Sequence, residues 1–484
     1  MGLIVCSNSM PRWNETGLSP RSPGGLVPLL AALLKDRGGD WVCTAPADRS
    51  VPDTTVRLKG DITLHPVQLD PQVQEDHYLT IGVRLMLWLF HYLLDTPRDP
   101  LLDSDFTRAW GSYEVANRAY ADRLAALNVT AGDDLLVNDY HLFLVPEMVT
   151  SAGGPRPATL SYFHGLPWCE PQYYAILPAA IRSRILASLL CCDVVGFHDS
   201  RWADAFTRCC LRLLPGCQAG AGWVTYRERT TRIAVTPFPV DTGELERLST
   251  EERTLTWRQR IAEQAHGRRI VARADRLDLW KNHLRGFAAY RSLLEANPRL
   301  AHEWHFCAVT TTPTRTTERS RAYQQECEAA VNEINERFAP SPEMPAVSLV
   351  YPDAAGSRHC VTALLSQADV TLVNPIIDGM NLVAKEALFL GRGTPVLLSV
   401  NAGAFEHLAP YVTPIEPFDT VATADALLTA MQTPPNTPAP DAGRDRQTSL
   451  STALAPGAGA TTWWDNLRDL ARQARTSPAD GDGR

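Results

Sequence analysis

Arg276 and Lys281 lie at the charged end of a β-rich run, RRIVARADRLDLWKN, in which Asp275 and Asp278 lie beside them. Two cations at a strand's end can neutralise an anionic group, or they can pair with these aspartates at the surface. A second candidate runs from Val370 to Gly391, VTLVNPIIDGMNLVAKEALFLG: an apolar strand, a turn with Pro and Asp-Gly, and a helix from near Asn381. The helix start of such a unit directs backbone N–H groups at an anion beyond the strand's carboxyl end. Asp378 lies in the turn and Glu386 about a turn and a half into the helix, where it could reach a ribose. The plainer alternative is an Asp cap and a surface Glu. Gly24 and Gly25 separate a first strand, LIVCSN, from the helix LVPLLAALLKDRG, and permit close backbone approach to a phosphate. Asp139, Tyr140 and His141 follow the strand DLLVN, and His164 follows TLSYF. The carboxyl ends of strands are where an α/β sheet displays its chemistry. His302 and His305 form HxxH with no other ligand in view, so no metal site is expected.

Strands alternating with helices in this way imply an α/β chain of doubly wound parallel sheets. A length of 484 residues implies two or three domains. The prolines of RIAVTPFPVDTGEL, from Arg232, read as a hinge between lobes covering residues 1–240 and 241–455. From Thr433 to Ala460 the composition turns to Pro, Ala, Gly, Ser and Thr, as in a linker. Residues 456–484 then carry WWDNLRDLARQAR, a helix whose tryptophans need burial and which is expected to cross back to the first lobe before a frayed tail. Tyr78 to Asp95, YLTIGVRLMLWLFHYLLD, is apolar around most of a helix and is expected to be core.

Apolar residues make up 45% and charged residues 21%, as in a soluble enzyme, and a net charge of -8 gives no general attraction to nucleic acid. No apolar run approaches the roughly 18 residues of a membrane span, and MGLIVCSNS has no basic region of a signal peptide. Cys6 stands where a myristoylated chain wants Ser or Thr. Eleven cysteines without a CxxC spacing suit a reducing, cytoplasmic setting.

DGMNLVAKE, the RLDxxK pattern of Arg276 and Lys281, NDYH and the glycine loop together resemble the trehalose-6-phosphate synthases, over roughly Leu3 to Arg475. The resemblance implies a GT-B fold: two Rossmann-like lobes with the active site in the cleft between them. It implies a retaining, metal-independent glycosyltransferase without a cofactor, using a UDP- or GDP-glucose-like donor as co-substrate. It assigns Arg276, Lys281, Gly24, Gly25 and the N–H groups of Leu382 and Val383 to donor phosphates, Glu386 to the ribose, and His164 and Asp378 to the donor sugar. For the acceptor it implies Asp139, Tyr140, Trp88, Arg315 and, where the family carries glutamine, His198. Small-molecule substrates are the expected partners, with no nucleic acid or membrane, and a homo-oligomer is left open.

The chain departs from that pattern on the acceptor side. Ser9 takes the place of an arginine that grips the acceptor phosphate, Leu79 that of a tyrosine, Asn138 that of the first His of HDYH, and HGLPW is one residue longer than its counterpart. Losing such charge-assisted bonds forfeits roughly 1.5–3 kcal/mol each; Arg12 or Arg21 could compensate. The expectation is transfer to an altered sugar or aminocyclitol acceptor in secondary metabolism, such as aminoglycoside antibiotic biosynthesis. The alternatives are trehalose-6-phosphate synthesis from glucose 6-phosphate, a pseudo-glycosyltransferase joining an activated cyclitol to an amine, and a non-catalytic sugar-nucleotide-binding protein.

Overall fold

The structure is a computed structural model that describes residues 2–14, 17–19, 25–45, 55–151, 153, 155–311, 317–353, 356–391, 393–433, 450, 454 and 459–476. Gly24, Arg21, Arg315 and most of the Pro- and Ala-rich segment lie outside them, as does the tail from Ser477. The chain divides into two compact units: Met1–Pro20 with Leu26–Phe238 and Ala460–Arg484, and Arg21–Gly25 with Pro239–Gly459.

The first unit is built on β1 (Leu3–Cys6), β2 (Gly39–Thr44), β3 (Ile62–Val67), β4 (Asp134–Asn138), β5 (Thr159–Phe163), β6 (Val194–Phe197) and β7 (Arg229–Val235). These strands are parallel in the order β3-β2-β1-β4-β5-β6-β7, with antiparallel pieces at both edges. Strands such as LIVC and TLSYF are buried throughout, as expected where helices cover both faces of a parallel sheet. The second unit repeats the pattern with β8 (Arg269–Arg276), β9 (Trp304–Thr311), β10 (Val347–Val350), β11 (Val370–Val373), β12 (Val396–Ser399) and β13 (Thr413–Ile415). Their order, β10-β9-β8-β11-β12-β13, is again wholly parallel. Alternate residues feed two cores: Ala272, Cys307 and Val373 on one face, Val271, Phe306 and Leu372 on the other. Strand order reverses between β1 and β4 and between β8 and β11, and ligands of doubly wound sheets bind beyond the strand ends at such points.

Four helices matter below: α1 (Leu26–Arg37), α2 (His283–Ala296), α3 (Leu382–Leu390) and α4 (Gly459–Thr476). Trp463, Trp464, Leu467 and Ala471 recur at helical spacing on the buried side of α4. The Trp463 ring stands edge-on to Phe163 and Phe238 at 5.1 and 5.2 Å, and its Nε1 donates to the Thr236 carbonyl at 2.9 Å. Ion pairs join Arg472 to Asp134 at 3.3 Å and Arg475 to Asp193 at 2.8 Å. Gly196 makes room for this packing, since a Cβ there would lie 2.8 Å from the Phe163 ring and 3.0 Å from Leu467.

The apolar stretch after Tyr78 differs from the expected α-helix. Asp76–Leu87 winds as a π-helix, with a short α-turn over Trp88–Phe90, and Tyr92 ends it with a φ of 55°. Apolar residues around the circumference signal burial, not winding; the wider turn sets Gly82 against His141, where a Cβ would lie 3.0 Å from the ring's Nε2. Among the described residues, no helix is long and apolar enough to cross a membrane.

Truncating Trp463 to Ala removes a fully buried indole together with its hydrogen bond, which costs about 3–5 kcal/mol. The urea midpoint of the first unit should fall accordingly, while that of the second stays unchanged. An unaltered first transition would mean that α4 is not part of this core.

Candidate active site

In the second unit, β8 delivers Arg276 at its last residue and β11 leads into the turn carrying Asp378. Lys281, on the loop after β8, is largely covered, its side chain 12% exposed, with Nζ 2.6 Å from Asp378 Oδ2 and 3.3 Å from Asp275 Oδ1. Burial works against the ammonium charge, but Asp378 and Asp275 more than offset it and its pKa ends above the ordinary lysine value. Burial raises the pKa of Asp275, while the Lys281 and Arg273 charges oppose the rise. Arg276 points more to solvent, its side chain 58% exposed, and its Nε donates to Asp278 at 2.8 Å. The two cations therefore have carboxylate neighbours, as their spacing allowed, yet only Arg276 sits in a surface setting.

Asn381 starts α3 in the left-handed conformation, φ 73°, and accepts from the Ala384 N–H at 3.3 Å. Its Nδ2 donates to Asp378 Oδ2 at 3.0 Å. The Asp378 backbone is held on both sides, its N–H by the Asn401 carbonyl and its carbonyl by the Gly403 N–H. Asp378 thus shares its carboxylate between Lys281 and Asn381 and does not cap α3; Asn381 does. Leu382 and Val383 open α3, so their N–H groups belong to the helix start. Glu386 is not a surface residue: it is 4% exposed and takes Nη1 of Arg358 at 2.5 Å, while Nη2 of Arg358 reaches Glu244 at 3.2 Å. Lys385 beside it is buried, which pulls its ammonium down to about 7.

In the first unit, Asp139 follows β4 with φ 66°, a left-handed value that marks strained backbone. Its Oδ1 accepts the Gly165 N–H at 2.9 Å; burial raises its carboxyl pKa to about 6, and that hydrogen bond opposes the rise. Tyr140 is buried, and its carbonyl accepts Tyr113 OH at 2.6 Å. Tyr78 stacks on His141 with ring centroids 5.4 Å apart. His164 follows β5 inside an aromatic cage of Phe90, Trp168 and Phe143. Burial lowers its pKa to about 3, so the imidazole is neutral, and Nε2 has no hydrogen-bond partner among the described residues. His198 is buried edge-on to Phe163 and Phe238, and Trp88 is buried at the end of the π-helical stretch. Gly25, φ 94°, immediately precedes α1. Ser9 is exposed and Leu79 half-buried. Asn138 is fully buried with neither side-chain polar atom paired among the described residues.

The structure therefore brings together Arg276, Lys281, Asp378, Leu382 and Val383 at one strand-order reversal, and Asp139, Tyr140 and His164 at the ends of adjacent strands in the other unit. Sequence reasoning offered Asp275 as a partner of the two cations, but only at the surface; it missed Arg358 as the partner of Glu386 and Asn381 as the residue joining cap to carboxylate. Asn381 carried a signal, since Asn is a favoured helix cap; Arg358 and Glu386 meet across 28 residues of chain, where no local pattern announces the contact.

The model of the family Glycosyltransferase family 20 matches residues 8–447. The chain is 30% identical over 472 residues to the trehalose-6-phosphate synthase of Mycolicibacterium vanbaalenii, covering 92% of this chain and 91% of that protein. It is 29% identical over 449 residues to a bifunctional trehalose-6-phosphate synthase/phosphatase of Thermoproteus tenax, covering 89% of this chain but only 59% of that longer protein. Its fold matches an α,α-trehalose-phosphate synthase (UDP-forming) of Burkholderia xenovorans, solved in complex with glucose-6-phosphate, with a TM-score of 0.84 at 23% identity over 97% of this chain and all of that one. On the strength of these matches, the chain belongs to glycosyltransferase family 20, the family of the trehalose-6-phosphate synthases.

Proposed function

We propose that the protein transfers a glucosyl unit from UDP-glucose, with retention of configuration, to a sugar or aminocyclitol acceptor that is not held by the family's usual phosphate contacts. The observation that carries the reading is Lys281, a largely covered ammonium set between Asp275 and Asp378 beside Arg276 at the reversal of strand order. In this reading Arg276, Lys281 and the N–H groups of Leu382 and Val383 take the diphosphate, Glu386 the ribose and Asp378 a hydroxyl of the donor ring. Asp139, Tyr140, Trp88 and His198 line the acceptor's side, and neutral His164 offers a hydrogen bond to the transferred sugar. The bond from the anomeric carbon to the phosphate oxygen breaks as that carbon bonds the acceptor on the same face. The acceptor's proton passes to the departing diphosphate oxygen, so no carboxylate need attack carbon. The Arg and Lys charges stabilise the leaving group where negative charge develops.

Ser9 and Leu79 support the altered acceptor, because neither brings a positive charge to a phosphate and the Leu79 side chain has no hydrogen-bond donor. A second reading is trehalose-6-phosphate synthesis itself, favoured by the names of the relatives and by the glucose-6-phosphate in the B. xenovorans complex. Mass spectrometry of purified protein with UDP-glucose should decide, offering glucose 6-phosphate in one arm and a panel of amino sugars and aminocyclitols in the other. Product only in the panel supports the altered acceptor; a disaccharide phosphate from glucose 6-phosphate establishes the second reading; UDP binding without turnover of any acceptor would sink both.

Arg276→Ala should lower kcat/KM by about 10²–10³ with the far-UV spectrum unchanged, the scale of losing one oxyanion donor. Near-normal turnover would remove Arg276 from the diphosphate. Asp139 gives a pH signature. With its carboxyl pKa raised to about 6, it is ionised above that value and able to accept two acceptor hydroxyls. Acceptor kcat/KM should therefore fall about tenfold per unit as pH drops below 6, a slope that Asp139→Asn abolishes. Because the folded pKa is raised, protonating Asp139 favours the folded state, so this residue does not cause acid unfolding in that window.

A further inference from the structure

Arg273, in the middle of β8, is completely buried, and none of the roles above uses it. Its guanidinium is spent in three directions. Nε donates to Nδ1 of His283 at 3.0 Å, Nη1 donates to Oδ1 of Asn374, and Nη2 donates to the backbone carbonyl of Lys281. Because His283 accepts at Nδ1, it carries its proton at Nε2, which lies 3.0 Å from the backbone carbonyl of Arg276 and donates to it. Burial and the adjacent Arg273 charge both keep this imidazole neutral. Asn374, at the end of β11, exchanges side-chain bonds with Asn282, the residue after Lys281: each Nδ2 donates to the other's backbone carbonyl, at 2.9 and 3.3 Å. One buried cation thereby ties down the backbones that carry both Arg276 and Lys281.

The fold makes space for it. Gly286 lies inside α2, where glycine is a poorer helix former than alanine. A Cβ at Gly286 would lie 2.7 Å from Nη1 of Arg273 and 3.5 Å from Oδ1 of Asn374. The charge is also balanced locally: Arg273 and Lys281 face Asp275 and Asp378, with Nη2 of Arg273 3.8 Å from Asp275. A buried guanidinium is expensive unless it is paired and fully hydrogen-bonded. A hydrophobic residue at this strand position would fill the core at lower cost and leave the two loops untied.

We propose that Arg273 is the positioning residue of the donor site, acting through His283 and the Lys281 carbonyl to hold Arg276 and Lys281 in the geometry that receives a nucleoside diphosphate. The inference rests on the assignment of those two cations to the diphosphate. Two variants test it. Arg273→Lys keeps the charge but cannot reach three acceptors at once, and Gly286→Ala removes no polar group yet drives a methyl into the guanidinium while favouring the helix.

Calorimetric titration with UDP and, separately, with uridine reads the effect. Both variants should bind UDP about tenfold or more weakly, with uridine affinity unchanged and kcat falling more than the acceptor KM rises. Added to an Arg276→Ala, Lys281→Ala background, neither should cost further UDP affinity, which a general loss of stability would not produce. Wild-type UDP affinity in both folded variants, with Arg276→Ala alone impaired, overturns the positioning role and leaves the diphosphate assignment standing. Wild-type affinity in Arg276→Ala and in Lys281→Ala overturns the assignment, and the positioning role with it. Should Arg273→Lys fail to fold, Gly286→Ala decides alone.

Discussion

An ammonium removed from water must be met by negative charge, and Lys281 is met twice, by Asp275 from β8 and by Asp378 from the turn after β11. That requirement sets much of the second unit's active end. The loop after β8 must fold inward to bury Lys281, and the turn after β11 must bring Asp378 within 2.6 Å of it. Asn381 must then adopt a left-handed backbone to serve Asp378 and the start of α3 together. Removing either carboxylate would leave a buried charge in excess, which costs far more than the pair contributes when intact. A site built this way resists drift one residue at a time.

Charge pairing of this kind also separates the two cations. Arg276 is more than half exposed and shares Asp278, whereas Lys281 is fixed from two sides. Arginine keeps donors to spare after one carboxylate contact, which suits it to meet an arriving phosphate, while the point charge of lysine supplies a fixed field. The arrangement resembles a stationary electrode beside a movable one. In the first unit the opposite tactic is used: among the described residues no cation pairs with Asp139, and its carboxyl accepts a peptide N–H from Gly165.

The sequence made the fold class legible because several strands of both sheets, LIVC, TLSYF and VTLV among them, are short, mostly apolar and fully buried, and each leads through a loop to a helix. The family was equally legible in DGMNLVAKE. Less could be read where a local pattern is compatible with several structures. The residues from Asp76 show the same apolar surface whether wound as α or π, and π was found. The extra residue of HGLPW read as a disturbance around His164, whereas Gly165 supplies the backbone donor to Asp139. A Cβ there would approach Asp139 Oδ1 to 3.1 Å, a crowding visible only once two strands are side by side. Arg273 in RRIVARADR drew no reading from the sequence, because nothing nearby announces His283, Asn374 and Gly286 as its neighbours. Asp139, His164, Arg276 and Lys281 were picked out by their position at strand ends or by family likeness, and their tasks await the assays.

The closing of the first unit by α4 has a consequence for how the protein is made. Its sheet is assembled from residues up to Phe238, but the helix that seals Phe163 and Phe238 begins only at Gly459, with the whole of the second unit translated in between. At about 5–20 residues per second, a ribosome needs on the order of ten to forty seconds to cross that interval. For that time an apolar face bearing two phenylalanine rings waits beside the exit tunnel without its tryptophans. A nascent chain in this condition is a substrate for chaperones that shield apolar surface, and a host lacking them would be expected to yield more insoluble protein than the finished structure's packing suggests.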